Sequence, residues 1–184
     1  MVLPFDGFTF VFIVGLLYSL MPLTVWTILH GRHDRRATGL WCWGALLSGV
    51  GFMLVGLRSM LPHLVAYETS ALLGYVGMAM RWASLRRERR RDCLPLRLVA
   101  LVLLATVGYT VGDVYQELLR ISLNLCVLAF GSACIAYEGW QLADEVRSRS
   151  ARMLAAAYVA LAVALLLRTA TLLAGTPEIG RAHV

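Results

Sequence analysis

The chain contains no lysine: all seventeen of its basic residues are arginine. Charged residues of either sign make up only 15% of its 184 residues, where soluble globular proteins carry about a quarter. That scarcity places the chain outside the soluble globular range. The four cysteines, Cys42, Cys93, Cys126 and Cys134, are scattered without a close pair. Free thiols in apolar surroundings therefore fit them better than a disulfide framework or a thiolate metal site. The four histidines, His30, His33, His63 and His183, are too dispersed for zinc. Haem held between spans would need two inward histidines, and the helix interiors supply none. A nucleotide-cradling glycine loop, a nucleophile elbow and paired catalytic carboxylates are likewise lacking, so neither an active site nor a cofactor is expected. The opening MVLPFDGFTF has no basic n-region, so the first apolar run reads as a permanent helix rather than a cleaved leader.

What the chain has in abundance is apolar length, with 59% hydrophobic residues. Six runs approach the roughly twenty residues a spanning helix requires: Phe8 to Leu29, Gly39 to Leu57, Leu64 to Ala83, Leu96 to Val114, Leu118 to Tyr137 and Met153 to Leu173. In lipid every backbone polar group must be satisfied within the protein, and these near-continuous Leu/Val/Ala/Gly runs lack the two-residue alternation of a membrane strand. The expected fold is an all-α membrane protein, a bundle of six transmembrane helices.

The connections alternate in charge. HGRHDRRAT, RWASLRRERRRDCLPLR and DEVRSRSAR hold thirteen arginines: Arg32, Arg35, Arg36; Arg81, Arg86, Arg87, Arg89, Arg90, Arg91, Arg97; Arg147, Arg149, Arg152. The other two connections, RSMLPH and the stretch around DVYQE, are flanked by just two, Arg58 and Arg120. By the positive-inside rule the arginine-rich loops face the cytoplasm and the N-terminus is extracytoplasmic. Placement between apolar runs reads as topology, not nucleic-acid binding. The bilayer is the expected partner. LRRERRRDC could in addition hold anionic lipid headgroups, each arginine near the surface adding about 1 kcal/mol of attraction. All five tryptophans, Trp26, Trp41, Trp43, Trp82 and Trp140, fall at the cytoplasmic interface on this map, as an aromatic belt would. Small residues at four-residue spacing, Gly44 with Ser48 on the second helix and Ala156, Ala160 and Ala164 on the sixth, suit close helix packing.

Ionisable residues inside a membrane are functional candidates because each costs a few kcal/mol at the bilayer centre. Arg58, Pro62, His63, Glu68, Asp113, Glu117, Arg120 and Arg168 all fall near the outer helix ends. They could line a shallow outer pocket that senses a stimulus, with Arg168 complementing Glu68 or Glu117. The simpler reading is that they snorkel into the headgroups and anchor helix ends. Arg168 fits that reading least well, lying about a turn and a half inside its apolar run.

The second-to-third hairpin, from LWCWGALLSGVGFMLVGLRSMLPHLVAYETS to MRWASLRR, carries an aromatic-led apolar helix, an arginine at its outer end, a short turn, Leu-Pro and a helix closing on a basic loop. In those positions, Trp43, Gly51, Arg58, Leu61 and Pro62, it resembles the membrane input region of proteobacterial GGDEF-type diguanylate cyclases. SARMLAAAYVALAVALLLRTATLLAG resembles the sixth helix of the same family, with Arg168 near its outer end. Where that family often has Asn in the third helix this chain reads YETSALLG, so no ligand role is carried across. The resemblance implies a bundle in the bacterial inner membrane that receives an unidentified stimulus. It would control a C-terminal cytoplasmic domain that, as a dimer, condenses two GTP molecules into cyclic di-GMP. A homodimer is thus a further expected partner. A histidine kinase output is the alternative, and a complete six-helix carrier or channel, or a scaffold subunit, stands outside the resemblance. The carrier reading calls for a polar path at mid-membrane, where these helices read as almost wholly apolar.

A cytoplasmic output requires an odd number of spans when the N-terminus is outside, and six are counted, so the parent is expected to have seven. The last residues, EIGRAHV from Glu178 to Val184, resemble the translation of a common sequencing-library adapter running to its stop codon. On that expectation native sequence reaches Pro177 and the tail, with Arg181 and His183, has no role.

Overall fold

The computed structural model describes residues 7–29, 35–91, 102–110 and 117–174. Arg32, Cys93, Arg97, Asp113 and the tail 178–184 lie outside the described residues, as do the side chains of Arg35 and Glu117. The described residues are all-helical, without strand. The helices are α1 (Gly7–Leu29), α2 (Arg35–Gly56) and α3 (Ser70–Glu88), then α4 (102–110), α5 (Glu117–Val146) and α6 (Arg149–Ala174). A π-helical turn, Leu64–Thr69, runs into α3.

Six helices match the six apolar runs, but their individual spanning capacity differs. Arg36–Gly56, Leu118–Val146 and Arg149–Ala174 are long and apolar enough to cross a membrane, and Val11–Thr24 forms a shorter apolar helix. Taken from Ser70, α3 carries Arg81, Arg86, Arg87 and Glu88 in 19 residues, which lowers its apolar character. Large apolar side chains stand exposed along the outside of the helices, among them Leu17 and Met21 on α1, Phe130 on α5 and Leu166 and Leu167 on α6. Such a surface belongs in lipid, where it needs no burial against protein.

Two compact units divide the chain, Met1–Thr106 and Val107–Val184. In the first, α1 and α3 each pack on α2. Glycine and serine set the approach. A Cβ on Gly44 of α2 would fall 2.5 Å from the carbonyl oxygen of Gly77 on α3, and one on Gly15 of α1 would fall 2.7 Å from the backbone nitrogen of Met53 on α2. Backbones this close are what small residues permit in lipid, where no hydrophobic force drives helices together. Ser84 of α3 donates to the carbonyl of Ala37 on α2 at 2.7 Å, adding a polar bond across the same interface.

In the second unit α5 and α6 form an antiparallel pair. The break between them is shorter than the expected loop, because α5 runs on to Val146 and α6 starts at Arg149. Arg147 takes the left-handed conformation at φ 52°, Ser148 N–H returns to the carbonyl of Ala143 at 3.2 Å, and the Ser148 hydroxyl accepts from Ala151 N–H at 3.4 Å. One residue pair thus closes the C-terminus of one helix and caps the N-terminus of the next. The end of α3 repeats the closure: Arg90 has φ 53° and Arg91 N–H bonds the carbonyl of Arg86 at 3.0 Å. Arginine stands in both places where glycine is the usual solution.

The small-residue stripes divide. Gly44 and Ser48 are buried in the α2–α3 interface, as expected. Ala156, Ala160 and Ala164 are exposed instead, and the buried residues of α6 are Ala155, Tyr158, Ala162 and Thr169, with Ala155 against Gly139 of α5. Packing of this pair follows a stripe containing the larger Tyr158, which a search for alternating small residues passes over.

Candidate functional site

A polar side chain bonded to groups on three helices is one that the basic-loop reading misplaced. Arg81 belongs to α3 and is 3% exposed. Helical side chains lean toward the helix N-terminus, which turns Arg81 away from the basic run that follows it and into the bundle. Its Nε donates to the Gly77 carbonyl at 3.3 Å, one terminal nitrogen donates to the Ser48 hydroxyl at 2.8 Å, and the other donates to the Tyr18 hydroxyl. The guanidinium carbon also lies 5.3 Å from the centre of the Tyr18 ring. Tyr18 meets Phe52 of α2 edge-on, with ring centres 6.1 Å apart. One cation therefore gathers groups from α1, α2 and α3.

The depth of this cluster follows from helix geometry. Tyr18 is eleven residues from either end of α1, about 16 Å by the helical rise. The guanidinium sits at the middle of α1, not at its rim. Such placement is costly: a buried arginine must be held by hydrogen bonds that offset several kcal/mol of lost hydration. Ser48, itself bonded to the Gly44 carbonyl at 3.0 Å, is one of those groups. The cluster also corrects the reading of the helix centres as almost wholly apolar. The signal was available, since the expected third span already ran past Arg81 to Ala83.

The outer candidates come together in part. Arg58, in the turn after α2, donates to the Tyr67 hydroxyl at 3.2 Å, and the His63 ring lies 4.6 Å from that of Tyr67, tilted by 36°. Pro62 is exposed and its carbonyl accepts from Val65 and Ala66, each at 3.0 Å, so it starts the π-helical turn. Glu68 is half-buried on that turn. Tyr67, absent from the expected cluster, is what joins Arg58 to His63. Single π turns inside helices widen the backbone locally and recur at functional sites.

In the second unit Arg120 is buried, with its guanidinium carbon 5.6 Å from the centre of the Tyr109 ring. Arg168 is exposed on α6. Glu68 belongs to the first unit and Arg168 to the second. Glu138 is buried on α5, eight residues short of its end.

The topology arginines spread over several environments. Arg36, Arg87, Arg90, Arg91, Arg147, Arg149 and Arg152 are exposed, and Arg152 pairs with Asp144 at 3.4 Å across the α5–α6 break. Arg86 stacks over Trp82 at 5.1 Å from its ring centre, while Arg89 is buried. Cys42, Cys126 and Cys134 are free thiols. Among the described residues no group of three or more His, Cys, Asp or Glu is placed to hold a metal ion. Comparison with protein-family models, with curated proteins and with solved structures returns no match.

Proposed function

We propose that the chain is the membrane input region of a bacterial signalling protein. Its six helices cross the inner membrane from an extracytoplasmic N-terminus, and a seventh further along the same polypeptide returns the chain to the cytoplasm, where its output is a GGDEF-type diguanylate cyclase. The observation that carries this reading is the α2–α3 hairpin. Three of the residues behind the resemblance have concrete work there: Gly51 lets α2 approach α3 so closely that a Cβ on it would fall 2.9 Å from the Ser70 carbonyl oxygen. Arg58 bonds across the turn to Tyr67, and Pro62 starts the helix that carries it. The motif is therefore a rigid corner with an exposed arginine and histidine at its tip.

A stimulus acts through such a corner only by binding one conformation better than another. The Arg58–Tyr67–His63 group is where a ligand would meet this unit, and α3 is the rod that would carry a movement to the basic cytoplasmic end. There Arg86, Arg87, Arg90 and Arg91 meet anionic headgroups and hold the helix end at the membrane surface. The test is to sequence genomic DNA past Pro177. A reading frame entering a GGDEF domain is the expected result; a stop codon at that point, or a soluble domain unrelated to signalling, overturns the proposal.

A second reading has gained one specific observation. A carrier or channel needs polar groups at mid-depth, and Arg81, Tyr18 and Ser48 supply them at the middle of α1. Solute or ion flux through proteoliposomes containing this chain alone would favour the carrier.

A further inference from the structure

Helices α1 and α3 both pack on α2, and among the described residues they do not pack on one another. Arg81 spans that open side. Its bond to Tyr18 reaches from α3 to α1, while its bonds to Ser48 and Gly77 anchor the same guanidinium on α2 and α3. We propose that the Arg81–Tyr18 contact is a latch that fixes the angle of α1 around α2, and that its release lets α1 swing while the α2–α3 hairpin stays intact.

Three features of the interfaces point this way. The α1–α2 contact is built from Gly15, Ser19, Gly49 and Gly56, with Phe12 lying against Gly56. Small residues of this kind let the backbones approach closely in lipid, and the larger contacts of the pair, Trp26 on Gly39 and Tyr18 against Phe52, are ring packing. The serine at this contact does not tie the helices together: Ser19 donates to the Gly15 carbonyl of its own helix at 2.9 Å. The α2–α3 contact, by comparison, has the Ser84–Ala37 bond between helices and the Arg81–Ser48 bond. The hairpin is thus cross-bonded at Arg81 and Ser84, one turn apart on α3, and α1 is tied to it at mid-helix by the guanidinium beside the Tyr18–Phe52 ring contact.

A guanidinium suits a latch better than an ammonium. It stays charged whatever its surroundings, and its planar fork serves three acceptors at once. With the Tyr18 hydroxyl withdrawn, the Ser48 and Gly77 acceptors still hold it, so the open state does not strand a bare charge in lipid. Hydrogen bonds to a charged group contribute enough that removing one shifts a two-state balance about tenfold or more. The latch stands whether the chain is an input region or a carrier, because both need an element that moves.

The test uses the full chain in lipid nanodiscs, with the native cysteines replaced by serine or alanine. Spin labels go at exposed positions, Leu20 on α1 and Leu72 on α3, and a reference pair at Val50 on α2 and Leu72. Electron–electron distance measurements should give one narrow α1–α3 distance in the parent. Tyr18→Phe, which removes a single hydroxyl, should add a second α1–α3 distance while the α2–α3 distance stays put. Arg81→Gln should do the same more strongly. Unchanged α1–α3 distances in Tyr18→Phe would overturn the latch, and so would equal broadening of both pairs, which would mean that the cluster merely stabilises the whole bundle.

Discussion

Gly74 and Gly77 lie about one turn apart on α3, and alanine at the two positions should move stability in opposite directions. A Cβ at Gly74 meets nothing within 4 Å. Gly74→Ala should therefore collect the ordinary helix-propensity gain of about 1 kcal/mol. At Gly77 the same Cβ would collide with the Ser48 hydroxyl and the Gly44 carbonyl oxygen of α2. The second of these is backbone and cannot rotate aside. Restoring ordinary contact distances near 3.5 Å requires the helices to part by about 1 Å. Overpacking of this kind costs about 1–3 kcal/mol, and the upper end applies because Ser48 is also a partner of Arg81. After the propensity gain, Gly77→Ala should be destabilising by about 2 kcal/mol, roughly a thirtyfold change in the unfolding equilibrium. The assay is unfolding in mixed micelles titrated with a denaturing detergent and followed by circular dichroism. Equal stabilities for the two variants, or a Gly77→Ala protein more stable than the parent, would refute the close α2–α3 approach on which the Arg81 cluster depends.

Other expectations follow from separate parts of the chain. Arg147 holds φ 52° at the end of α5, so Arg147→Gly should relieve about 1 kcal/mol of backbone cost and raise the thermal midpoint; a lowered midpoint would remove strain as the explanation. Alkaline phosphatase fused after Pro62 should be active and the same enzyme fused after Arg91 inactive, and the reverse pattern would invert the proposed topology. In a protein carrying its cyclase output, Arg168→Ala should change cyclic di-GMP production if the outer residues sense a stimulus. Unchanged output at normal membrane expression would leave Arg168 as an anchor.

The helices were legible because lipid imposes a strong rule: long apolar runs have few alternatives to helix. Phe8 to Leu29 anticipates α1 within a residue. Errors appear where polar residues continue a helix. The fifth apolar run ends at Tyr137 and the basic connection DEVRSRSAR begins at Asp144, yet α5 continues to Val146. A helix end is set by closure of its last carbonyls, here by Arg147 and Ser148, and not by the point where hydropathy falls. Nothing in the residue type forecasts a left-handed arginine, which is why the break between α5 and α6 was expected to be longer.

Arg81 shows why a charge census misleads at a membrane boundary. Counted by sequence neighbourhood, it joins Arg86 to Arg91 as one more topology signal. Counted by geometry, it is separated from them, because its side chain points back along α3 while the run beyond it reaches the helix end. The same residue type thus does opposite work over a few positions: Arg90 is exposed at the end of its helix, and Arg81 is 3% exposed at the level of Tyr18. Charge alone cannot separate these roles; the acceptors can. A guanidinium is retained at depth where hydroxyls from two neighbouring helices and a carbonyl of its own helix converge on it, and no spacing rule links Tyr18 of α1 and Ser48 of α2 to Arg81. The thirteen-to-two arginine asymmetry drops to twelve-to-two once Arg81 is withdrawn, so the charge asymmetry behind the topology argument does not depend on the arginine that turns into the bundle.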